Sequence, residues 1–208
     1  MESTLSEWAI AQDIHLIETL AWDGQSLRNL EAHLARLATS AQALRFPCDV
    51  ARARSELQAQ IGQAPARLRL TLNSKGSIAL QSALMPVIKP IWRVGLAAQR
   101  LQSNDPWLKL KSSHRPAYDA ARASLPAGLD EVILLNEHGA VCDGSITTVF
   151  FDHGAGMRTP PLSAGLLPGV LRAQMACPEE TLYADQLPHV RLWVGNSLRG
   201  LIPARWID

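Results

Sequence analysis

Leu27, Leu30, Leu34, Leu37, Ala41 and Leu44 recur at steps of three and four, the spacing that gathers apolar side chains on one face of a helix. A stripe of that kind has to be covered, and its neighbours in the chain supply the cover. His15 to Trp22 contains the run IETLAW, which reads as a strand closed by the turn Asp23-Gly24. Pro47 stops the helix, and Val50 to Ile61 is a second, weaker one. Arg67 to Leu72 alternates as RLRLTL, Asn73-Ser74-Lys75-Gly76 makes a turn, and Ser77 to Leu84 returns, which is a hairpin. Strand, helix, helix and hairpin predict a small α+β unit over residues 1–86.

Met85 to Pro90, with Pro86 and Pro90, reads as a linker. The remainder, residues 87–208, is predicted to be a larger β-rich domain. Strands are expected around Trp92 to Ala98, Glu131 to Leu135, Ala140 to Cys142, Thr147 to Phe151 and Val190 to Val194. Turns fall at Asn136-Glu137-His138-Gly139 and His153-Gly154. One helix is expected from about Arg115 to Ser124. A second would have Pro168 in its first position and run to about Ala176. The chain shows neither an internal repeat nor a low-complexity tract.

Composition excludes several function classes. Apolar residues make up 47% and charged residues 19%, enough to bury a sizeable core. The net charge of +1 argues against nucleic acid or an anionic membrane as the main partner. Cys48, Cys142 and Cys177 are odd in number and contain no C-x-x-C pair, so neither a disulfide framework nor a zinc site is expected and a reducing cytosol is the simplest compartment. The amino-terminal MESTLSEWAIAQD lacks a basic start before an apolar core, so it does not read as a signal peptide. No apolar run reaches the roughly 18 residues of a membrane helix. The six histidines have no metal-ligand spacing, and His33 beside the apolar stripe reads as a packing residue.

Single polar residues say little, but their order is specific. Lys111-Ser112-Ser113-His114-Arg115 leads to Tyr118-Asp119. Asp130-Glu131 opens an apolar strand that ends in Asn136-Glu137-His138-Gly139. Next come Asp143-Gly144-Ser145-Ile146-Thr147-Thr148-Val149-Phe150, Thr159-Pro160-Pro161-Leu162, Gly165 to Arg172, and Asn196-Ser197-Leu198-Arg199-Gly200-Leu201. In the first half, Glu18-Thr19-Leu20 and His33-Leu34-Ala35-Arg36-Leu37 belong to the same series. Over about residues 14 to 206 this order resembles the class IV aminotransferases, the fold-type IV pyridoxal phosphate enzymes. That family includes branched-chain and D-amino-acid transaminases and aminodeoxychorismate lyase. The resemblance implies an α+β chain of two domains, a small amino-terminal α/β sandwich and a larger β-rich pseudo-barrel.

It also implies roles. The cofactor is pyridoxal 5'-phosphate, and its aldehyde needs an amine of lowered pKa. Lys111 matches the family lysine. Lys109, two residues away and read as lying on the same strand face, is its competitor, but Lys111 alone has the arginine and Tyr-Asp at the matching offsets. The phosphate calls for backbone N–H groups and positive charge; Gly169, Val170 and Leu171 resemble the family's helix start, Ser197 offers a hydroxyl, and Arg36 matches the phosphate-side arginine. Leu171 stands where family members often have threonine. The pyridine nitrogen calls for a carboxylate. Asp143 stands where the family has glutamate, one methylene shorter.

The wording around Ser40-Ala41, Phe46-Pro47 and Asn196 to Gly200 resembles the lyase branch. It places a lyase that turns 4-amino-4-deoxychorismate into 4-aminobenzoate and pyruvate ahead of an amino acid transaminase. The departures at Asp143 and Leu171 leave open a non-catalytic, pyridoxal phosphate-binding or interaction protein of the same fold. The expected partners are a small-molecule amine substrate and a second copy of the chain in a homodimer.

Overall fold

The structure, a computed structural model, describes residues 4–208; the first three residues of the acidic amino-terminal segment lie outside that range. The described chain divides into two units, residues 4–87 with 110–114, and residues 88–109 with 115–208.

In the first unit a short helix, α1 (Leu5–Ala11), begins with a capping box in which Thr4 accepts from the Glu7 amide and Glu7 from the Thr4 amide. After it come β1 (Leu16–Trp22), α2 (Leu30–Leu44), α3 (Val50–Ala59), β2 (Ala66–Leu72) and β3 (Ile78–Leu84). The strands form one antiparallel sheet in the order β1-β2-β3. Leu16 and Leu20 of β1 and Leu68, Leu70 and Leu72 of β2 are buried, as are Leu34, Leu37, Ala41 and Leu44 of α2. The predicted stripe therefore does cover the sheet.

That helix starts three residues later than the stripe suggests. Leu27 bridges back to Trp22, and the Arg28 amide donates to the Ala21 carbonyl, so the chain is still closing the β1 turn there. Asn29 then enters the helix in a left-handed conformation. At the other end Arg45 is left-handed and the helix finishes before Pro47. The Leu110–His114 segment belongs to this unit because it pairs with the start of β1. The Ile17 amide donates to the Lys111 carbonyl at 2.8 Å, the Ser113 amide to the His15 carbonyl at 2.8 Å, and Leu16 bridges Ser112.

The second unit contains β4 (Trp92–Leu101), α4 (Pro116–Ala123), β5 (Glu131–Asn136), β6 (Val141–Gly144), β7 (Thr148–Asp152), α5 (Val170–Met175), β8 (Arg191–Asn196) and β9 (Gly200–Trp206). Its six strands close into a barrel in that order. The β4–β5 and β4–β9 pairs are parallel and the rest antiparallel. Closure removes the exposed edges that an open sheet leaves. One apolar cluster draws on all six strands, among them Val94, Ile133, Val141, Phe151, Val194 and Ile202, and fills the barrel. Val132 and Leu134 alternate with Ile133 and Leu135, and join a second cluster with Ala97, Leu108, Ala121, Cys142 and Leu166. Strand β5 is thus buried on both faces, which explains its continuous apolar run.

Candidate functional site

Within the first unit, the buried polar cluster is Glu18, His33 and Arg36. Glu18 sits on β1 between Leu16 and Leu20 on the face toward α2, and is 2% exposed. Arg36 donates from Nε to Glu18 Oε1 at 2.8 Å and from Nη2 to Oε2 at 2.6 Å; His33 Nδ1 lies 2.6 Å from Oε2. Residues 33 and 36 are three apart, one helical turn, so both reach the same carboxylate. Burial pushes the Glu18 carboxyl up, but the hydrogen bonds and charges of Arg36 and His33 outweigh it and hold the group below its ordinary value. His33 is therefore more than a packing residue, as it is part of a charged buried set.

Lys111 is half-buried in the segment joined to β1. His114, three residues on, meets Trp8 edge to face, with centroids 4.6 Å apart. Lys109 differs from the expectation that it shares a strand face with Lys111. It ends a short 3-10 turn, Pro106–Lys109, is exposed, and belongs to the second unit. Strand spacing does not apply to it because no strand includes both lysines.

In the second unit Asp143 lies near the end of β6, 4% exposed, and its Oδ2 accepts from the Leu167 amide at 3.0 Å. Its cross-strand partner is Thr148. Four residues, Gly144 to Thr147, connect the two. Glu131, fully buried at the start of β5, accepts hydrogen bonds from that connection. Among the described residues the buried Tyr118 hydroxyl has no hydrogen-bond partner. Burial and the nearby Asp143 and Cys142 push it well above its ordinary value, against the opposing charge of Arg115. Arg115 lies over the Tyr118 ring at 5.1 Å, pairs with Asp119, and donates to the Ser145 carbonyl.

Gly169 caps α5, and Val170 and Leu171 open it, both buried. Pro168 precedes the cap and does not take the first helical position, because Gly169 keeps an extended conformation (φ −68°, ψ 145°). A Cβ at Gly169 would come 2.9 Å from Thr148 Oγ1, so only glycine permits this approach. The Leu171 side chain packs on β8, where a Cβ at Gly195 would lie 2.7 Å from it. Ser197 is in the turn between β8 and β9. That turn is fixed by Asn196, whose Oδ1 accepts from the Arg199 amide and whose Nδ2 donates to the Ile146 carbonyl.

The residues singled out in the sequence therefore fall into two sets, Lys111 and Arg36 in the first unit and Asp143, Gly169, Val170, Leu171 and Ser197 in the second. Sequence reasoning missed Glu131 as a polar centre. It reads as the first residue of an apolar strand, and four of its five donors lie 14–16 residues downstream, beyond any local pattern. Among the described residues no helix is long and apolar enough to cross a membrane, and no group of His, Cys, Asp and Glu is arranged to hold a metal ion.

Comparison with known proteins gives a consistent result. The family model for amino-transferase class IV matches residues 15–207. A solved structure from Mesorhizobium loti, provisionally named an amino-acid aminotransferase, is 40% identical, with TM-score 0.89 over 94% of this chain and 100% of its own. A 4-amino-4-deoxychorismate lyase from Pseudomonas aeruginosa is 25% identical, with TM-score 0.82 over 100% of this chain and 88% of its own. A hypothetical aminotransferase from Mycobacterium tuberculosis, in a PLP-bound form, shares the fold at 20% identity and TM-score 0.79, covering 100% and 86%. No curated protein matches the chain. The match to the family model over nearly the whole sequence places the chain in the class IV aminotransferase family, whose members are pyridoxal phosphate-dependent aminotransferases and lyases.

Proposed function

We propose that this chain binds pyridoxal 5'-phosphate through Lys111 and acts as a lyase that releases pyruvate and 4-aminobenzoate from 4-amino-4-deoxychorismate. The observation that carries the cofactor assignment is the donor set. The chain holds a half-buried amine, Lys111, a partly buried guanidinium, Arg36, and a buried carboxylate, Asp143, at the positions that the sequence resemblance picks out. An aldehyde, a phosphate and a protonated pyridine nitrogen want those three groups. One further feature fits: among the described residues the buried Tyr118 hydroxyl has hydrogen-bonding capacity to spare.

When bound, the cofactor supplies an electron sink for the pair left as a bond to the carbon beside nitrogen breaks. The protein supplies the rest. In this reading the Lys111 amine would anchor the cofactor and, when free, would take up and return the proton at that carbon. Asp143 holds a proton on the pyridine nitrogen, a task for which its 4% exposure suits it because a dry carboxylate acts at full strength. Arg36, Ser197 and the amides at Gly169, Val170 and Leu171 bind the phosphate. Glu18 takes part of the Arg36 charge, so Arg36 is a directional donor more than a bare cation.

Support for the lyase comes from the segments around Phe46-Pro47 and Asn196 to Gly200 and from the 25% identity to the Pseudomonas lyase. The 40% identity to the Mesorhizobium protein favours a second reading, an amino acid transaminase. The same proposal has a homodimer working in the cytosol on a small diffusible amine. The purified chain is to be assayed for 4-aminobenzoate and pyruvate release, and in parallel with amino acid and keto acid pairs. Product from the first assay supports the lyase and product from the second alone the transaminase. Silence in both, with cofactor bound, leaves a carrier of pyridoxal phosphate and overturns the enzyme assignment.

A further inference from the structure

Glu131 has more hydrogen bonds than any role at a strand start requires. It is fully buried. Oε1 accepts from the Val132 and Ser145 amides, both at 3.0 Å, and from the Ser145 hydroxyl; Oε2 accepts from the Ile146 amide at 3.1 Å and the Thr147 hydroxyl at 2.9 Å. Four of these five donors belong to the connection that follows Asp143. Arg122 is the nearest cation, at 3.8 Å, and is 41% exposed. Neutral donors satisfy the carboxylate, and most come from one loop.

That loop is built around it. A Cβ at Gly144 would run into Thr147 Oγ1 and lie 2.9 Å from Glu131 Oε2, so glycine there leaves room for the carboxylate. The loop carbonyls are held from the other side, Ser145 by Arg115 and Ile146 by Asn196. Both loop hydroxyls turn inward to Glu131. The loop is thus a rigid clip between Asp143 and its cross-strand partner Thr148. Rigidity matters more here than it would for a glutamate. The aspartate side chain has one fewer rotatable bond, so the backbone that carries it must be placed correctly.

We infer that Glu131 is the positioning residue for Asp143: by organising residues 144–147 it sets where the Asp143 carboxylate meets the pyridine nitrogen of a bound cofactor. This rests on the role proposed above for Asp143. In this inference Glu131 acts through the loop, as a positioning residue rather than a catalytic one.

The test uses the full chain carrying Glu131→Gln, which keeps the volume but turns one acceptor oxygen into a donor. Three quantities are read: amide exchange at Ser145 and Ile146 without cofactor, affinity for pyridoxal phosphate, and the pH dependence of the bound chromophore's visible band. The expected result is fast exchange at both amides, about tenfold to a hundredfold weaker binding, and a pH profile displaced from that of the parent. A folded variant that melts earlier yet keeps the parent's affinity and pH profile would show that Glu131 only stabilises the barrel, overturning the inference. If Glu131→Gln does not fold, Thr147→Val removes a single donor. It should shift the same profile by less, and an unchanged profile is equally fatal. Should the parent protein fail to bind pyridoxal phosphate, the proposed function falls, and the exchange at Ser145 and Ile146 still reports whether Glu131 organises the loop: unchanged protection in Glu131→Gln overturns that too.

Discussion

The chain buries two glutamates in two different ways. Glu18, on β1, is held by charge: a guanidinium makes two hydrogen bonds to it and an imidazole a third. Glu131, on β5, is held by dipoles: backbone amides and hydroxyls, four of the five from a single loop. A buried carboxylate costs several kcal/mol of lost hydration in either case. The two solutions fail differently. A charge-paired carboxylate depends on one partner and on pH, whereas a dipole-paired one depends on the shape of the loop around it. Glu18 bonds Arg36, and Glu131 bonds the loop that follows Asp143.

The largest expected effect comes from removing the partner charge. Arg36→Ala strands Glu18 in the core with only His33, and should cost about 3–5 kcal/mol, measured as a lowered denaturant midpoint with unchanged slope. The pH dependence sharpens this. The Glu18 carboxyl titrates below its ordinary value of 4.5 in the folded chain. Its stabilisation is therefore fully present above that pH and is lost as pH falls through the folded value. The parent protein should lose stability across that acid window, and Arg36→Ala should lose less there. Equal losses in the two proteins would mean that Arg36 does not hold Glu18 ionised.

Next comes Glu131→Gln, which sets an amide against the Ile146 and Thr147 donors and should cost about 2–3 kcal/mol. Gly144→Ala attacks the same loop from the backbone. Its methyl would displace the Thr147 hydroxyl from Glu131, with an expected cost of about 1–2 kcal/mol. Combined, the two changes should be less than additive, since they break one network; full additivity in a double-mutant cycle would separate Gly144 from Glu131. The smallest effect belongs to Arg54→Ala. Its bidentate pair with Glu31 joins α3 to α2 on the surface, and exposed pairs are screened by solvent. The thermal midpoint should barely move, and a large drop would show that the helix pair relies on surface charge.

The contrast between the two glutamates also marks how far the sequence could be read. Helix α2, the β2–β3 hairpin and the barrel strands β4 to β8 were all legible, because each has a period or a turn written into a few adjacent residues. The capping box that starts α1 was equally local, in Thr4 and Glu7, but a seven-residue helix has too short a stripe to announce itself. Strand β9 went unread because Pro203 and Arg205 interrupt it. In the structure it nevertheless pairs along β8, Pro203 with Trp193 and Ile202 with Val194. Lys111 and Asp143 stand out as candidates only through their order along the chain. Glu18 lay within a recognised motif, yet its partners became visible only when α2 was laid on β1. Glu131 was hidden altogether, since four of its five donors are distant in sequence and none is charged.

The proposed function rests on Lys111 as the attachment point. The direct measurement is peptide mass analysis after the full chain has been loaded with pyridoxal phosphate and reduced with borohydride. The expected result is one added cofactor on the peptide containing Lys111, with fragment ions placing it on that residue, and no added mass in Lys111→Ala. Added mass on Lys109, or a Lys111→Ala protein that still acquires and retains the reduced cofactor, would contradict it.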